Sequence, residues 1–220
     1  MSAEDPISQA RLLCDRVVYG GDASVLATAD RELDRVEADL AVARGQVMHM
    51  RFLAQPDQDP DQLAADPREL VLFERATILY RGLGDERGEG EALFWAGCFH
   101  QVVRGDNETA VPVLQRSCEL AEQAGDKRTV SGALRHLGIA EHRAGRLDTA
   151  RARLEESARL RRELGLMPGV AANLVGLAYI AAADGRRDDA LRLLTEAAAI
   201  ARDSGAHRIT GQVQEAREHL

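Results

Sequence analysis

Six histidines and three cysteines are the residues of this 220-residue sequence best suited to metal or nucleophilic chemistry. A helix binds a metal through two imidazoles four residues apart, which then face the same ion. No pair among His49, His100, His136, His142, His207 and His219 has that spacing, and none lies in an HExxH run. His136 and His142 differ by six and point apart on a helix. Cys14, Cys98 and Cys118 are odd in number and form no CxxC pair, so free buried thiols in a reducing compartment are expected. No GxxxxGK[ST] loop, strand-linked GxGxxG or GxSxG elbow occurs. The glycine-rich run Gly82–Gly90 (GLGDERGEG) joins two helical patterns and reads as a turn. These gaps lead to the expectation of a protein that is not an enzyme, uses no cofactor and holds no metal.

Two side-chain stripes remain. Arg128, Arg135 and His142 are spaced by seven, so a helix presents them on one face. Trp95, Phe99 and Val102 stand at i, i+4 and i+7 and share another face, opposite Phe94 and Cys98. The net charge is −8 and the pI near 5.3, a poor match for a phosphate backbone, so nucleic acid is not an expected partner. The charge is uneven: residues 1–125 sum to −11, residues 126–165 to +4 and residues 166–220 to −1. No run of some 18 apolar residues could span a bilayer. The opening MSAEDPISQA has neither the cationic nor the apolar part of a secretion signal, so the expected place is the cytoplasm. With 27 arginines to one lysine, Lys127, the composition points to a GC-rich genome.

The elements that position these stripes follow from composition and period. The chain is 45% hydrophobic but 4% aromatic, so Ala, Leu and Val must build the core, and Ala and Leu, with Arg and Glu in the polar set, favour helix. The sequence matches itself at a shift of forty. Gly105, Gly145 and Gly185 fall in register, as do Gly125, Gly165 and Gly205. Ala110, Ala150 and Ala190 align, then Leu114, Leu154 and Leu194, then Leu120, Leu160 and Ile200. Phe94, Leu134 and Leu174 form a further column, followed by the small residues Cys98, Gly138 and Ala178. Seven columns over three units indicate a repeat.

Each unit reads as two helices, the first over about 88–103, 127–143 and 168–183, the second over about 109–123, 148–163 and 188–203. Glycines 105, 145 and 185 mark the turn between them. Asp148 and Asp188 are expected to cap second helices, and Pro168 to open a first one. Small residues at Gly138, Ala150, Ala178 and Ala190 let paired helices approach closely. Each pair leaves an apolar face for the next to cover, so the units stack. Upstream, 68–82 reads as the second helix of a degenerate unit. The acidic Pro56–Pro67 (PDQDPDQLAADP) reads as an exposed loop, and about 7–18 and 23–54 as helices with breaks at Gly20-Gly21 and near Gly45. The expected domains are 1–67 as degenerate repeats with the loop at 56–67, 68–205 as repeats (about 88–125, 126–165 and 166–205), and 206–220 as a capping helix.

Residues 127–163 resemble a tetratricopeptide repeat: Leu134, Leu137, Gly138, Ala150 and Leu154 follow the W-x2-L-G … A-x3-F order with leucine at aromatic positions. Residues 168–203 repeat this with Leu174, Leu177, Ala178, Tyr179, Ala190 and Leu194, and 88–123 more weakly, with Gly97 at a leucine position. The forty-residue period resembles the long variant of kinesin light chains and of bacterial regulator sensor regions. The resemblance implies an all-α, right-handed α-solenoid of stacked antiparallel helix pairs, about 10–11 helices in all. It also implies a peptide-binding groove along the first helices, at Trp95, Phe99 and Val102, at Arg128, Arg135 and His142, and near Ala172, Val175 and Tyr179. The family's clamp of asparagines and cations for a terminal carboxylate is not reproduced, since Val175 and Gly176, or Arg135 and His136, stand where it expects asparagine. Asn173 lies nearby but off that position.

The functional expectation is a protein- or peptide-binding scaffold in a bacterial regulatory or adaptor role. Its partner would carry Asp or Glu plus one bulky apolar anchor. The alternatives are a structural protein that associates with copies of itself and a regulator subunit that senses a small ligand. No DNA-binding domain is evident in the sequence.

Overall fold

The computed structural model describes residues 5–54 and 66–219. The expected loop Pro56–Pro67 lies outside the described residues except for Asp66 and Pro67. Among the described residues there is no strand, and ten α-helices follow one another: α1 Pro6–Gly20, α2 Leu26–Leu53, α3 Arg68–Leu83, α4 Glu86–Cys98, α5 Asn107–Gln123, α6 Lys127–Arg143, α7 Leu147–Glu163, α8 Met167–Ala183, α9 Arg187–Asp203 and α10 His207–His219. None is long and apolar enough to cross a membrane. Contacts divide the chain into two compact units, Met1–Asp106 and Asn107–Leu220.

In the first unit α2 runs unbroken through Gly45, where a break was expected. The reason is packing. A Cβ at Gly45 would stand 2.4 Å from Cε1 of Phe73, which is fully buried, so the glycine is there to admit a ring from α3 and not to end a helix. Ala38, Ala41 and Val42 of α2 meet Ala76, Leu79 and Tyr80 of α3 and Ala92 of α4 in one core cluster. A polar pair is sealed in the same unit: His49 Nδ1 lies 2.7 Å from Glu69 Oε1, both side chains almost wholly buried. After α4 the backbone widens into a turn of π-helix, Phe99–Val103, with Arg104 N–H donating to Phe99 O and Asp106 N–H to His100 O.

The second unit is a row of helical hairpins. Gly125, Gly145, Gly165, Gly185 and Gly205 end successive helices with φ between 66° and 74°, a region that favours glycine. Ala110, Ala150, Ala178 and Ala190 are fully buried, and a Cβ on Gly138 would press to 3.0 Å from Leu154 Cγ, so the small residues do set the close approach. Leu114, Leu154, Leu174 and Leu194 fill the space beside them, each contributing about 1.5–3 kcal/mol by leaving water. Val213 and Ala216 of α10 join the cluster made by α8 and α9.

Two expectations fail on helix starts. Asp148 and Asp188 do not cap: α7 and α9 begin one residue earlier, behind Arg146 and Arg186, with no side-chain cap. The acids fall in the first turn instead, where a negative charge still suits the helix dipole. Side-chain caps are made by Asp5, which accepts from Ser8 N–H, by Asp85, which accepts from Gly88 N–H, and by Asp126, which accepts from Arg128 and Thr129 N–H. Pro112 is the sixth residue of α5 and so lies past the first turn, the part of a helix where a missing N–H is harmless.

Candidate functional site

The aromatic stripe of the first unit is largely occupied. Phe99 is 1% exposed, and the π-turn that begins at this residue shifts the register on which its face was projected. Trp95 is half-buried, 5.6 Å from the His49 ring, 6.2 Å from Phe73 and 5.1 Å from Phe94. Val102 alone of the three is exposed. Trp95 therefore packs mainly on the core of α2, α3 and α4, and Phe99 is buried beneath Arg104. Of the three thiols Cys98 and Cys118 are buried, but Cys14 is exposed on α1, against expectation.

In the second unit Arg128 is exposed at the start of α6, and Arg135 and His142 are half-buried further along it. On α8, Val175 is 6% exposed, so it offers little to a ligand, while Ala172 and Tyr179 are half-buried. Burial raises the Tyr179 hydroxyl above its usual range, with Glu215 adding to it. The structure brings Arg135 together with two residues the groove assignment leaves out, Asn173 of α8 and Arg161 of α7. Arg135 Nη1 donates to Asn173 Oδ1 at 2.9 Å and to Ala172 O at 2.8 Å. Arg161 Nη1 donates to the same Asn173 Oδ1 at 3.2 Å and to Gly169 O at 2.9 Å. Asn173, fully buried, is oriented by its own amide, which donates to Ser157 Oγ at 2.8 Å; Ser157 in turn donates to Ser131 O at 2.6 Å. A chain of buried hydrogen bonds thus fixes one amide oxygen between two guanidinium groups.

The electrostatics are one-sided. Most cations of 127–162 have an acid: Lys127 pairs with Glu163, Arg146 and Arg153 with Glu141, Arg151 with Asp148 and Asp184, Arg159 with Glu156 and Glu163, Arg162 with Glu196. Among the described residues Arg135 and Arg161 pair with none, although both are half-buried. Burial pulls Arg135 down from 12.5 to about 10. Arg161 is lowered to about 10 by burial and then by the neighbouring Arg135. Two desolvated like charges without a counter-ion form an unfinished arrangement that one carboxylate or phosphate would complete. Their Nε and Nη2 groups make no hydrogen bond to the described residues and remain available for it.

A signal for this cluster stands in the repeat. At the forty-residue shift Arg161 aligns with Ala121 and Ala201, Asn173 with Ala133, and Arg135 with Trp95 and Val175. Ala121, Ala133, Val175 and Ala201 are all buried. Three polar residues thus replace apolar ones in core columns, all at the junction of α6, α7 and α8. No group of three or more His, Cys, Asp or Glu among the described residues could hold a metal ion.

Comparison with known proteins bears on the fold. The tetratricopeptide repeat model matches residues 129–203. Among solved structures, the chain is similar to nearly identical TPR-like repeats of a Podosopora anserina protein described as a kinesin light chain. The TM-score is 0.52 at 17% identity, covering 84% of this chain and 90% of that one. A variant form of that protein also matches, with TM-score 0.41 at 17% identity, covering 93% of this chain and 99% of that one. No curated protein matches the sequence significantly.

Proposed function

Residues 129–203 are tetratricopeptide repeats, and from that premise we propose that the chain is a non-catalytic binding module that holds an acidic protein segment at the junction of α6, α7 and α8. Repeats of this kind generally mediate protein–protein interaction. The observation that carries the proposal is the pair Arg135 and Arg161, half-buried around one amide oxygen with no acid beside them. A fold does not leave such a pair uncompensated without cost, and the repeat supplies apolar alternatives at all three positions. An Asp or Glu side chain of a bound segment supplies the missing charge. Arg128 and His142 extend the polar stripe along α6, and Tyr179 offers apolar surface on α8. The role is that of an adaptor or sensor in a bacterial cytoplasm.

The test is a display selection of random 12-residue peptides on the purified protein, followed by anisotropy titration of the winners. They should carry Asp or Glu beside an apolar residue. Arg135→Glu should weaken binding by about 1–3 kcal/mol, and added salt should weaken it further. Winners that lack acidic residues, or an affinity that Arg135→Glu leaves unchanged, would sink the reading.

A further inference from the structure

Apolar exposure is concentrated in α1–α3, which hold eleven of the fifteen exposed large hydrophobic residues described. Five of them lie on α2. Leu26, Leu33, Leu40 and Val47 are spaced by seven and are 43%, 43%, 50% and 51% exposed, with Met50 at 46%. The same helix buries Ala38, Ala41, Val42, Gly45 and His49 on its other side; on the stripe's own side Ala29 is covered by Ala10 and Leu13 of α1, and Leu26, Leu33, Leu40 and Val47 stay exposed beside it. A single packed face on a monomeric helix follows the 3.6 period. A strict seven-residue step sustained over the 28 residues of α2 instead belongs to a helix wound against another helix.

The charges beside the stripe specify which helix. Four residues after each apolar position come Asp30, Glu37, Arg44 and Arg51, in that order, all exposed. The first half of α2, 26–39, carries five acids and two bases; the second half, 40–53, carries two bases and no acid. A parallel copy would set acid against acid along the first half. An antiparallel copy sets Asp30 opposite Arg51 and Glu37 opposite Arg44 in one register. To within one residue, about 1.5 Å along the axis, that register also brings Leu33 to Val47 of the copy and Leu40 to Leu40. Glu37 already accepts from Arg75 Nε at 2.7 Å, so the copy's Arg44 would join an existing pair. Exposed ion pairs add little affinity, so the apolar stripe drives association and the charges set its direction.

We propose that α2 pairs antiparallel with α2 of a second copy of this chain, through Leu26, Leu33, Leu40 and Val47. The surface lies in the first unit and does not depend on the acidic-segment reading of the second.

Sedimentation equilibrium over a hundredfold concentration range should show a monomer–dimer equilibrium. Leu40→Glu brings two carboxylates together at the two-fold axis and should raise the dissociation constant by about thirtyfold or more. Leu40 is half exposed, so this variant should keep its helical circular dichroism. Arg51→Asp should weaken the dimer, and adding Asp30→Arg should restore it. In a Cys14→Ser background, Leu40→Cys should cross-link to itself, whereas Leu33→Cys and Val47→Cys should cross-link mainly when mixed. A protein that stays monomeric, as it would if a foreign helix or another part of the chain covers the stripe, overturns the proposal. So does a dimer indifferent to Leu40→Glu, or a Leu33→Cys variant that cross-links to itself as readily as Leu40→Cys.

Discussion

Methionine at position 135 keeps most of the arginine's bulk and drops its charge. Burial lowers the guanidinium from 12.5 to about 10, so keeping it charged costs the fold at most about 3 kcal/mol at 1.36 kcal/mol for each pH step. Against that stand its bonds to Asn173 Oδ1 and Ala172 O, each worth about 1.5–3 kcal/mol for a charged donor. Neither acceptor is orphaned by the change. Asn173 Oδ1 keeps Arg161, and Ala172 O keeps its place in the helical ladder of α8. Arg161 also loses a like charge that lowers its own ionisation. Arg135 is only half-buried, so its two bonds fall at the low end of that range, about 3 kcal/mol together, and nearly cancel the cost; Arg135→Met should change stability by no more than about 1 kcal/mol, about 2–4 °C in Tm for a chain of this size. The same variant should lose about 1–3 kcal/mol of affinity for a selected acidic peptide. Differential scanning calorimetry and fluorescence anisotropy on one preparation measure both. A fall in Tm above about 10 °C with binding intact would show that the guanidinium holds the fold together and serves no ligand.

Further outcomes follow from other sites. Gly45→Ala should destabilise by about 1–3 kcal/mol in urea unfolding, because the new methyl meets the buried Phe73 ring; an unchanged midpoint would refute the packing account. At pH 8 native protein should take up one equivalent of iodoacetamide, at exposed Cys14, since burial pushes Cys118 up to about 12 and raises Cys98 further; a second label before unfolding would contradict this. His100 has its pKa lowered by burial and then by Arg104, and its Nδ1 is buried without a partner. The unfolded chain therefore binds the proton first, and stability falls as pH drops below about 6.5. Urea midpoints at pH 7.5 and 5 should differ less in His100→Phe than in the parent; an equal or larger difference would reject the assignment.

The helices were legible because helix formation is local. The expected 127–143 and the observed α6 coincide, and the other second-unit helices agree to within one or two residues at each end. The stack was legible too, since glycines at a forty-residue step record where each helix must stop. Cap positions were less so: Asp148 has the right chemistry, but its helix begins at Leu147. Gly45 looked like a break because a glycine suits a turn and a close ring contact equally well, and the ring that decides between them is 28 positions away at Phe73.

Taken alone, then, the sequence determined the helices, their repeat and the cationic character of 126–165, because these depend on side chains a few positions apart. Only the tertiary structure decided that Trp95 and Phe99 belong mainly to a core, and that Arg135, Arg161 and Asn173 meet around one oxygen. Burial and charge compensation are properties of neighbours in space. Positions 135, 161 and 173 become neighbours only when α6, α7 and α8 pack.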